Sequence, residues 1–213
     1  MRARQAQIVD AARRVIRAKG FHPATVREIG EAAGMTQGTL YNYARSKDDI
    51  LFLVLDELVR DYHEAVRAAI ARETNPRHRL GATVRAFTQV VMQRQDDILL
   101  LYQEVHALER SLRARLLART QEFIEYVQRI VEQAIADGVV TTGNSYFAAQ
   151  VITFLPAMLA LRRWSLRGRL PEAEVAESVV EFIMRGLDHG PVTCGEETGP
   201  GAATSSARPR GDE

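Results

Sequence analysis

One cysteine stands in the 213 residues, Cys194, so the chain can close no internal disulfide and build no multi-thiolate metal site. A cytoplasmic protein with no cofactor is the expectation. Long apolar runs are missing too: the richest stretch, Tyr146 to Leu161, falls short of the roughly 20 residues of a membrane span and contains Gln150, Thr153 and Pro156. No membrane partner is expected. Residues Met1 to Gln7 are polar, and Asp10 and Arg13-Arg14 follow before any apolar stretch, so a secretory signal is not expected either. Period-two alternation between hairpin turns is nowhere to be found, which argues against a β fold. Net charge is close to absent at +1 and by itself points to no partner.

What is present is an ordinary globular composition, 46% hydrophobic and 26% charged, at a length that suits one domain or a small one joined to a larger one. The small net charge conceals an asymmetry. Within residues 1–47, Arg2, Arg4, Arg13, Arg14, Arg17, Lys19, Arg27, Arg45 and Lys47 face only Asp10, Glu28 and Glu31, a local +6 that leaves −5 for the remainder. A basic segment beside an acidic body suggests a polyanion partner for the first and another task for the second.

Helical periodicity runs through almost the whole chain, and the fold class is all-α with about nine helices. Ile8, Ala11, Ala12, Val15 and Ile16 form one apolar stripe, ended by Gly20. Thr25 caps a short helix from Val26 to about Ala33 and completes a capping box with Glu28; Gly34 stops it. Thr36 caps a third helix over Gln37 to Tyr43, and Ser46 a long fourth one with Asp48 and Asp49 in its first turn. Asn75-Pro76 opens the fifth, Asp96 the sixth and Ser111 the seventh, which ends at Asp137-Gly138. Asn144 starts an apolar helix to about Trp164 that Pro156 should kink, and Pro171-Glu172 starts the last, to Leu187. Residues 190–213, rich in Gly, Pro, Ser and Thr, are expected to be a disordered tail in which Cys194 is an inert thiol.

Two short helices around Gly34-Met35 inside the basic block make a helix-turn-helix candidate. The stretches Ile8-Val9-Asp10-Ala11-Ala12, Lys19-Gly20-Phe21, Thr25-Val26-Arg27-Glu28-Ile29-Gly30, Ala33-Gly34-Met35-Thr36-Gln37-Gly38-Thr39-Leu40-Tyr41-Asn42-Tyr43 and Ser46-Lys47-Asp48-Asp49-Ile50-Leu51 together resemble the DNA-binding domain of TetR-type transcriptional regulators. The resemblance covers about the first fifty residues without a gap. It divides the chain into a DNA-binding domain at 1–47, a ligand-binding and dimerisation domain at 48–189, and the tail. Two positions depart from the family pattern. Ala44 stands where an aromatic residue is usual, which would loosen the recognition helix. Gly30 stands where alanine is common, at a cost of about 1 kcal/mol in helix propensity.

Residue types suggest the roles. Gln37 and Thr39 can meet base edges in a major groove, with Asn42 as a third reader and Arg27 a further base contact. Gly38 lets the backbone approach DNA closely. Tyr41, Tyr43 and Lys47 resemble the family's phosphate clamps, joined by the hydroxyls of Thr25 and Thr36 at helix N-termini, although either threonine can be a cap alone and Tyr41 can be half core. Arg2 and Arg4 form a candidate arm toward the backbone or minor groove.

A helix-turn-helix reads few base pairs alone, so a homodimer on a palindromic double-stranded operator is expected, with half-sites about 34 Å or a multiple apart. Val151, Leu155 and Leu159 with Val175, Val179, Phe182 and Ile183 are the candidate interface. The resemblance also implies a central effector cavity, for which Phe87, Tyr102, His106, Phe123, Tyr126, Val127, Phe154, Met158 and Trp164 are candidates. Leu101-Tyr102-Gln103-Glu104 and Leu161-Arg162-Arg163-Trp164, followed by Arg167 and Arg169, resemble the acyl-CoA-sensing branch, the four arginines lying where phosphates would sit. Two alternatives stand beside it: a sensor of aromatic or cationic compounds controlling an efflux gene, with Glu104 as counter-ion, and a non-specific architectural DNA binder. The five scattered histidines, and the absence of a zinc-binding His-Glu-x-x-His run, a Gly-x-Ser-x-Gly elbow or a phosphate loop, argue against an enzyme and against a metal site.

Overall fold

The computed structural model describes residues 2–169 and 171–188, with the side chains of Arg2 and Glu172 left out. All regular structure among these residues is helical: α1 (Arg2–Lys19), α2 (Val26–Ala32), α3 (Gln37–Tyr41), α4 (Lys47–Ile70), α5 (Pro76–Gln93), α6 (Gln95–Glu104), α7 (Arg110–Ala136), α8 (Ser145–Phe154), α9 (Met158–Leu161), α10 (Arg163–Leu166) and α11 (Glu172–Asp188). The expected tail, with Cys194, lies outside the described residues.

Local chemistry sets most of the helix ends. Thr25, Thr36, Ser46, Asn75 and Asn144 each accept a backbone N–H at the start of a helix, and Thr25 and Ser46 complete capping boxes with Glu28 and Asp49. Gly34 takes φ 65° after α2. The Met35 N–H there donates to the Gly30 carbonyl at 3.0 Å and the Gly34 N–H to Glu31 at 3.0 Å, a turn that aims the chain into α3. At α7 the expectation needs correcting. Glu109, not Ser111, is the cap, because its carboxylate accepts both the Ser111 N–H at 3.0 Å and the Ser111 hydroxyl. The long apolar helix divides at Pro156 into α8, a 3-10 turn Leu155–Ala157 and α9, since a proline ring removes one donor and clashes with the preceding turn, and it divides again at Arg162 before α10.

Helices α1–α3 form a small head around Ile8, Ala11, Ala12, Ile29, Leu40 and Ala44, all at most 1% exposed. α4 leaves it through Ile50 and Leu51 and continues into the body, where Leu58, Tyr62 and Val66 pack against α5 and α7. α7 lies along α8, and α11 closes over α5. Each fully buried aliphatic or phenyl side chain contributes about 1.5–3 kcal/mol. The shared α4 core therefore joins head and body into one hydrophobic unit.

Candidate nucleic-acid interface

The α2 turn and the Thr36 cap present one end of α3 outward. Leu40 is its buried foot, while Thr36, Gln37, Gly38, Tyr41 and Asn42 are exposed and Thr39 and Tyr43 are half-buried. The hydroxyls of Thr36 and Thr39 lie 2.9 Å apart, and Gln37 Nε2 approaches Tyr41 Oη at 3.5 Å. These polar groups occupy one surface with nothing of the protein over Gly38, which has no heavy atom within 4 Å of where a Cβ would sit. Helix α3 ends at Tyr41, so Asn42 and Tyr43 lie in the turn behind it rather than in the helix expected to reach Tyr43. The burial of Ala44, together with its N–H bond to Leu40 at 3.0 Å, anchors this short segment without an aromatic ring.

The supporting residues sit around that surface. Lys47 Nζ donates to the His22 carbonyl at 2.7 Å and lies 4.4 Å from the centre of the Phe21 ring, so its charge is held against the α1–α2 loop. Thr25 heads α2, where Glu28 accepts from Lys19 Nζ at 2.5 Å and from Thr25; these bonds hold the Glu28 carboxyl at about 2, well below the usual range. Arg27 is paired with Glu31 at 2.9 Å on the surface and would have to exchange that partner for a base. Arg4 bonds Gln7 at 3.1 Å; the side chain of Arg2 lies outside the described residues.

The charge asymmetry has a second meaning that the spacing of residues did not show. Arg13, 11% exposed, donates from Nε to Asp97 Oδ2 at 2.8 Å and from Nη1 to Glu57 at 3.3 Å. Arg17 reaches Asp96 at 3.0 Å, and Arg163 of α10 holds the same carboxylate at 2.6 Å. Burial pushes the Asp97 carboxyl up despite Arg13, whereas the Arg163 hydrogen bond pulls Asp96 down. Part of the basic excess in the head thus docks it on the acidic start of α6. Partners 80 or so residues apart leave no periodic signal; only the opposite signs of the two segments hinted at them. At the other end of α6, Glu104 faces His22 Nε2 at 3.3 Å. Glu104, named above as a counter-ion for a cationic ligand, thus lies at the joint with the head, where it also lines a cavity of about 310 Å³.

The candidate effector residues separate into three places. Phe87, Phe123 and Val127 are core, and the rings of Tyr62, Phe87 and Phe123 pack 4.8–5.5 Å centre to centre. His63 and Tyr126 continue this ladder outward, with His63 5.0 Å from Phe123 and 5.7 Å from Tyr126. They open on a groove of about 670 Å³ between α4 and α7, lined also by Arg60, Arg67 and Arg119 and by the carboxylates of Asp56, Glu64 and Glu122. Partial burial lowers the His63 pKa and so favours its neutral ring. Phe154, Met158 and Trp164 instead face outward, Trp164 at 76% exposure, and Tyr102 stacks edge-on against Phe154 at 6.1 Å. His106 is exposed in the 3-10 turn after α6. Of the four arginines expected to hold phosphates, Arg163 is committed to Asp96, while Arg162, Arg167 and Arg169 are exposed.

The candidate dimer residues divide as well. Leu159, Val175, Val179 and Ile183 are buried inside the single chain, beneath the surface rather than on it. Val151 and Leu155 are half-buried. Phe182 is 69% exposed, and with Phe147 at 66% and Phe154 at 58% it leaves large rings on the outer side of α8 and α11. Phe147 was missed because an i, i+3, i+4 pattern does not distinguish which of two apolar faces turns inward. Among the described residues no helix is long and apolar enough to cross a membrane, and no group of three metal-ligating side chains is present.

Comparison with known proteins agrees with this arrangement. Residues 8–54 match the family described as bacterial regulatory proteins, tetR family, and residues 73–187 match the tetracyclin repressor-like C-terminal domain. The HTH-type transcriptional regulator HbdR of Aromatoleum sp. (strain CIB) is 28% identical over 175 residues, covering 82% of this chain and 76% of that protein. Among solved structures, the transcriptional regulator FadR from Bacillus subtilis in complex with stearoyl-CoA superposes with a TM-score of 0.71 at 22% identity, over 85% of this chain and 98% of that one. AibR in complex with isovaleryl coenzyme A and operator DNA does so with a TM-score of 0.68 at 22% identity, over 84% and 97%. At that identity the two structures speak for the fold. A capped, outward-facing α3 in a basic head, carried by an all-helical body, and both family matches lead to one conclusion: the chain belongs to the TetR family of bacterial regulatory proteins.

Proposed function

We propose that the protein is a dimeric, effector-released repressor that reads a palindromic operator through Gln37, Thr39 and Asn42 and grips phosphates through Thr25, Thr36, Tyr41, Tyr43 and Lys47. The observation that carries this reading is the α3 surface: exposed Thr36, Gln37, Tyr41 and Asn42 around Gly38, whose Cβ direction is open, together with a lysine held in place by the α1–α2 loop. Two heads are needed to bridge a palindrome, and the outward rings of Phe147, Phe154 and Phe182 supply the apolar face for pairing. The dimer then contains a bundle of α8 and α11 from each protomer.

The effector class that fits is a coenzyme A thioester of an acyl chain, as in the FadR and AibR complexes. The ladder from Tyr126 and His63 through Phe123 to Tyr62 and Phe87 supports an apolar chain entering from the α4–α7 groove, whose volume lies within the range of small-molecule sites. Its rings must part to admit the chain, and that opening displaces α4, which leads to the head. Releasing DNA about 100-fold requires about 2.7 kcal/mol of differential binding between the two states. Thermal unfolding with stearoyl-CoA and with isovaleryl coenzyme A tests this. Stabilisation by at least one, with loss of operator binding at the same concentration, is expected; no stabilisation at saturation by either removes the acyl-CoA reading and leaves the operator reading intact.

A further inference from the structure

Glu104 ends α6 as a buried carboxylate, 9% exposed, and among the described residues neither a lysine nor an arginine pairs with it. Burying a carboxylate without such a cation is costly, so its place at the joint calls for a reason. Its partner is His22 of the head, whose Nε2 lies 3.3 Å from Oε1. His22 belongs to a tight turn at residues 20–24, in which Gly20 takes φ 88° and the Ala24 N–H donates to the Phe21 carbonyl at 3.1 Å. The same turn holds Lys47 twice, through the His22 carbonyl at 2.7 Å and through the face of the Phe21 ring at 4.4 Å. A turn of the body, residues 104–109, meets the head here. Leu108 anchors that turn in the core, Arg113 Nη1 donates to the His106 carbonyl at 3.2 Å, and the Glu109 N–H donates to Asp48 Oδ2 at 2.9 Å. One end of the body turn therefore touches the residue that holds Lys47, and the other end touches the residue that follows Lys47 in the chain.

We infer that Glu104 is a positioning residue for the phosphate grip: from the body it fixes the 20–24 turn, and through the His22 carbonyl that turn fixes where the Lys47 ammonium stands. The inference rests on Lys47 being a phosphate contact. An ammonium carries three N–H donors, so the one given to His22 leaves two for a phosphate. Held there, the long side chain gives up its rotamer freedom before DNA arrives rather than on binding, which strengthens the contact. Charge alone predicts the opposite sign. Glu104 is an anion, and removing an anion from a protein that binds a polyanion tightens binding. Positioning requires that its removal weaken binding instead.

The experiment titrates the full chain and its variants Glu104→Ala, His22→Ala and Lys47→Ala, singly and in pairs, against a duplex selected from a random pool and an unrelated duplex of equal length. Salt is fixed, and the temperature lies well below the unfolding midpoint of every variant. Glu104→Ala and His22→Ala should each weaken binding about three- to tenfold on both duplexes, and the pair should weaken it no more than either alone. In the Lys47→Ala background both losses should shrink to within about twofold. Unchanged or tighter binding by Glu104→Ala would overturn the inference. So would a loss that His22→Ala does not share, or one as large in the Lys47→Ala background as in the native one, which would make Glu104 a residue of the fold alone. If Lys47→Ala by itself leaves both duplexes bound as before, Lys47 is no phosphate contact, and the inference fails while base reading through α3 stands. If the wild-type chain prefers neither duplex, the operator reading fails, yet the paired variants on either duplex still decide the role of Glu104.

Discussion

Replacing Arg13 by alanine should be among the most destabilising single changes in the head, although the residue touches neither core aromatics nor DNA. The side chains of Arg13 and Asp97 are 11% and 7% exposed and bonded at 2.8 Å, with Glu57 a second partner at 3.3 Å. Truncating Arg13 leaves a buried carboxylate with only the weaker influence of Arg94. Breaking a buried pair on one side costs about 3–5 kcal/mol, a large share of the 5–15 kcal/mol that holds a typical domain together. At about 2–4 °C per kcal/mol for a chain of this size, the unfolding midpoint followed by circular dichroism at pH 7.5 should drop by about 6–20 °C. The pH dependence identifies the cause. Burial already raises the native Asp97 pKa above its unfolded value, and loss of Arg13 raises it further. The native state of the variant then binds the proton more readily than the unfolded state, so its deficit against wild type shrinks as the pH falls through that raised pKa. Arg13→Met with Asp97→Leu, which leaves no orphaned charge at Asp97, should recover most of the loss. A drop of under about 2 °C, or a deficit that grows on acidification, would refute this account of the joint.

Other consequences follow from the same geometry. Phe182→Glu places a charge on the outward face of α11, so the variant should sediment as a monomer and lose operator binding while remaining helical; a dimer that persists puts the interface elsewhere. Glu28, held at about 2 by Lys19 and Thr25, contributes stability that is present above its ordinary pKa and is lost as the pH falls from there toward 2. Glu28→Gln should therefore flatten the acid limb of the unfolding profile, and an unchanged limb would show the capping box to be inert. Gln37→Ala should relax base preference at one position per half-site, whereas Lys47→Ala should weaken all sequences alike and reduce the salt slope of binding by about 1.

The head was legible in the sequence because its determinants are local. Thr25 with Glu28, Thr36, Ser46 with Asp49, and glycines where φ turns positive act within four residues of one another, and each gives a helix end directly. Misreadings arose where two local options competed or where distance intervened. Glu109 outcompetes Ser111 as a cap because a carboxylate two residues earlier can take both of the serine's donors. Ile183 and Phe182 are adjacent and equally apolar, yet one is core and the other surface, since helix rotation is decided by α5 packing and not by composition. Arg13 and Arg17 read as part of a DNA-facing surface because their partners at Asp97 and Asp96 come from a distant helix. The aromatic ladder from Tyr126 to Phe87 draws on α4, α5 and α7, a convergence that no single helix pattern contains.

The reading of α3 as the DNA-recognition element is tested most directly by selecting duplexes from a randomised pool with the purified chain and titrating the winner against a scrambled duplex at one fixed salt concentration. An inverted repeat bound by a dimer about a thousandfold or more tighter than the scrambled duplex, with that preference weakened by Gln37→Ala, is the expected result. Equal affinity for both duplexes, changing only with salt, would contradict it.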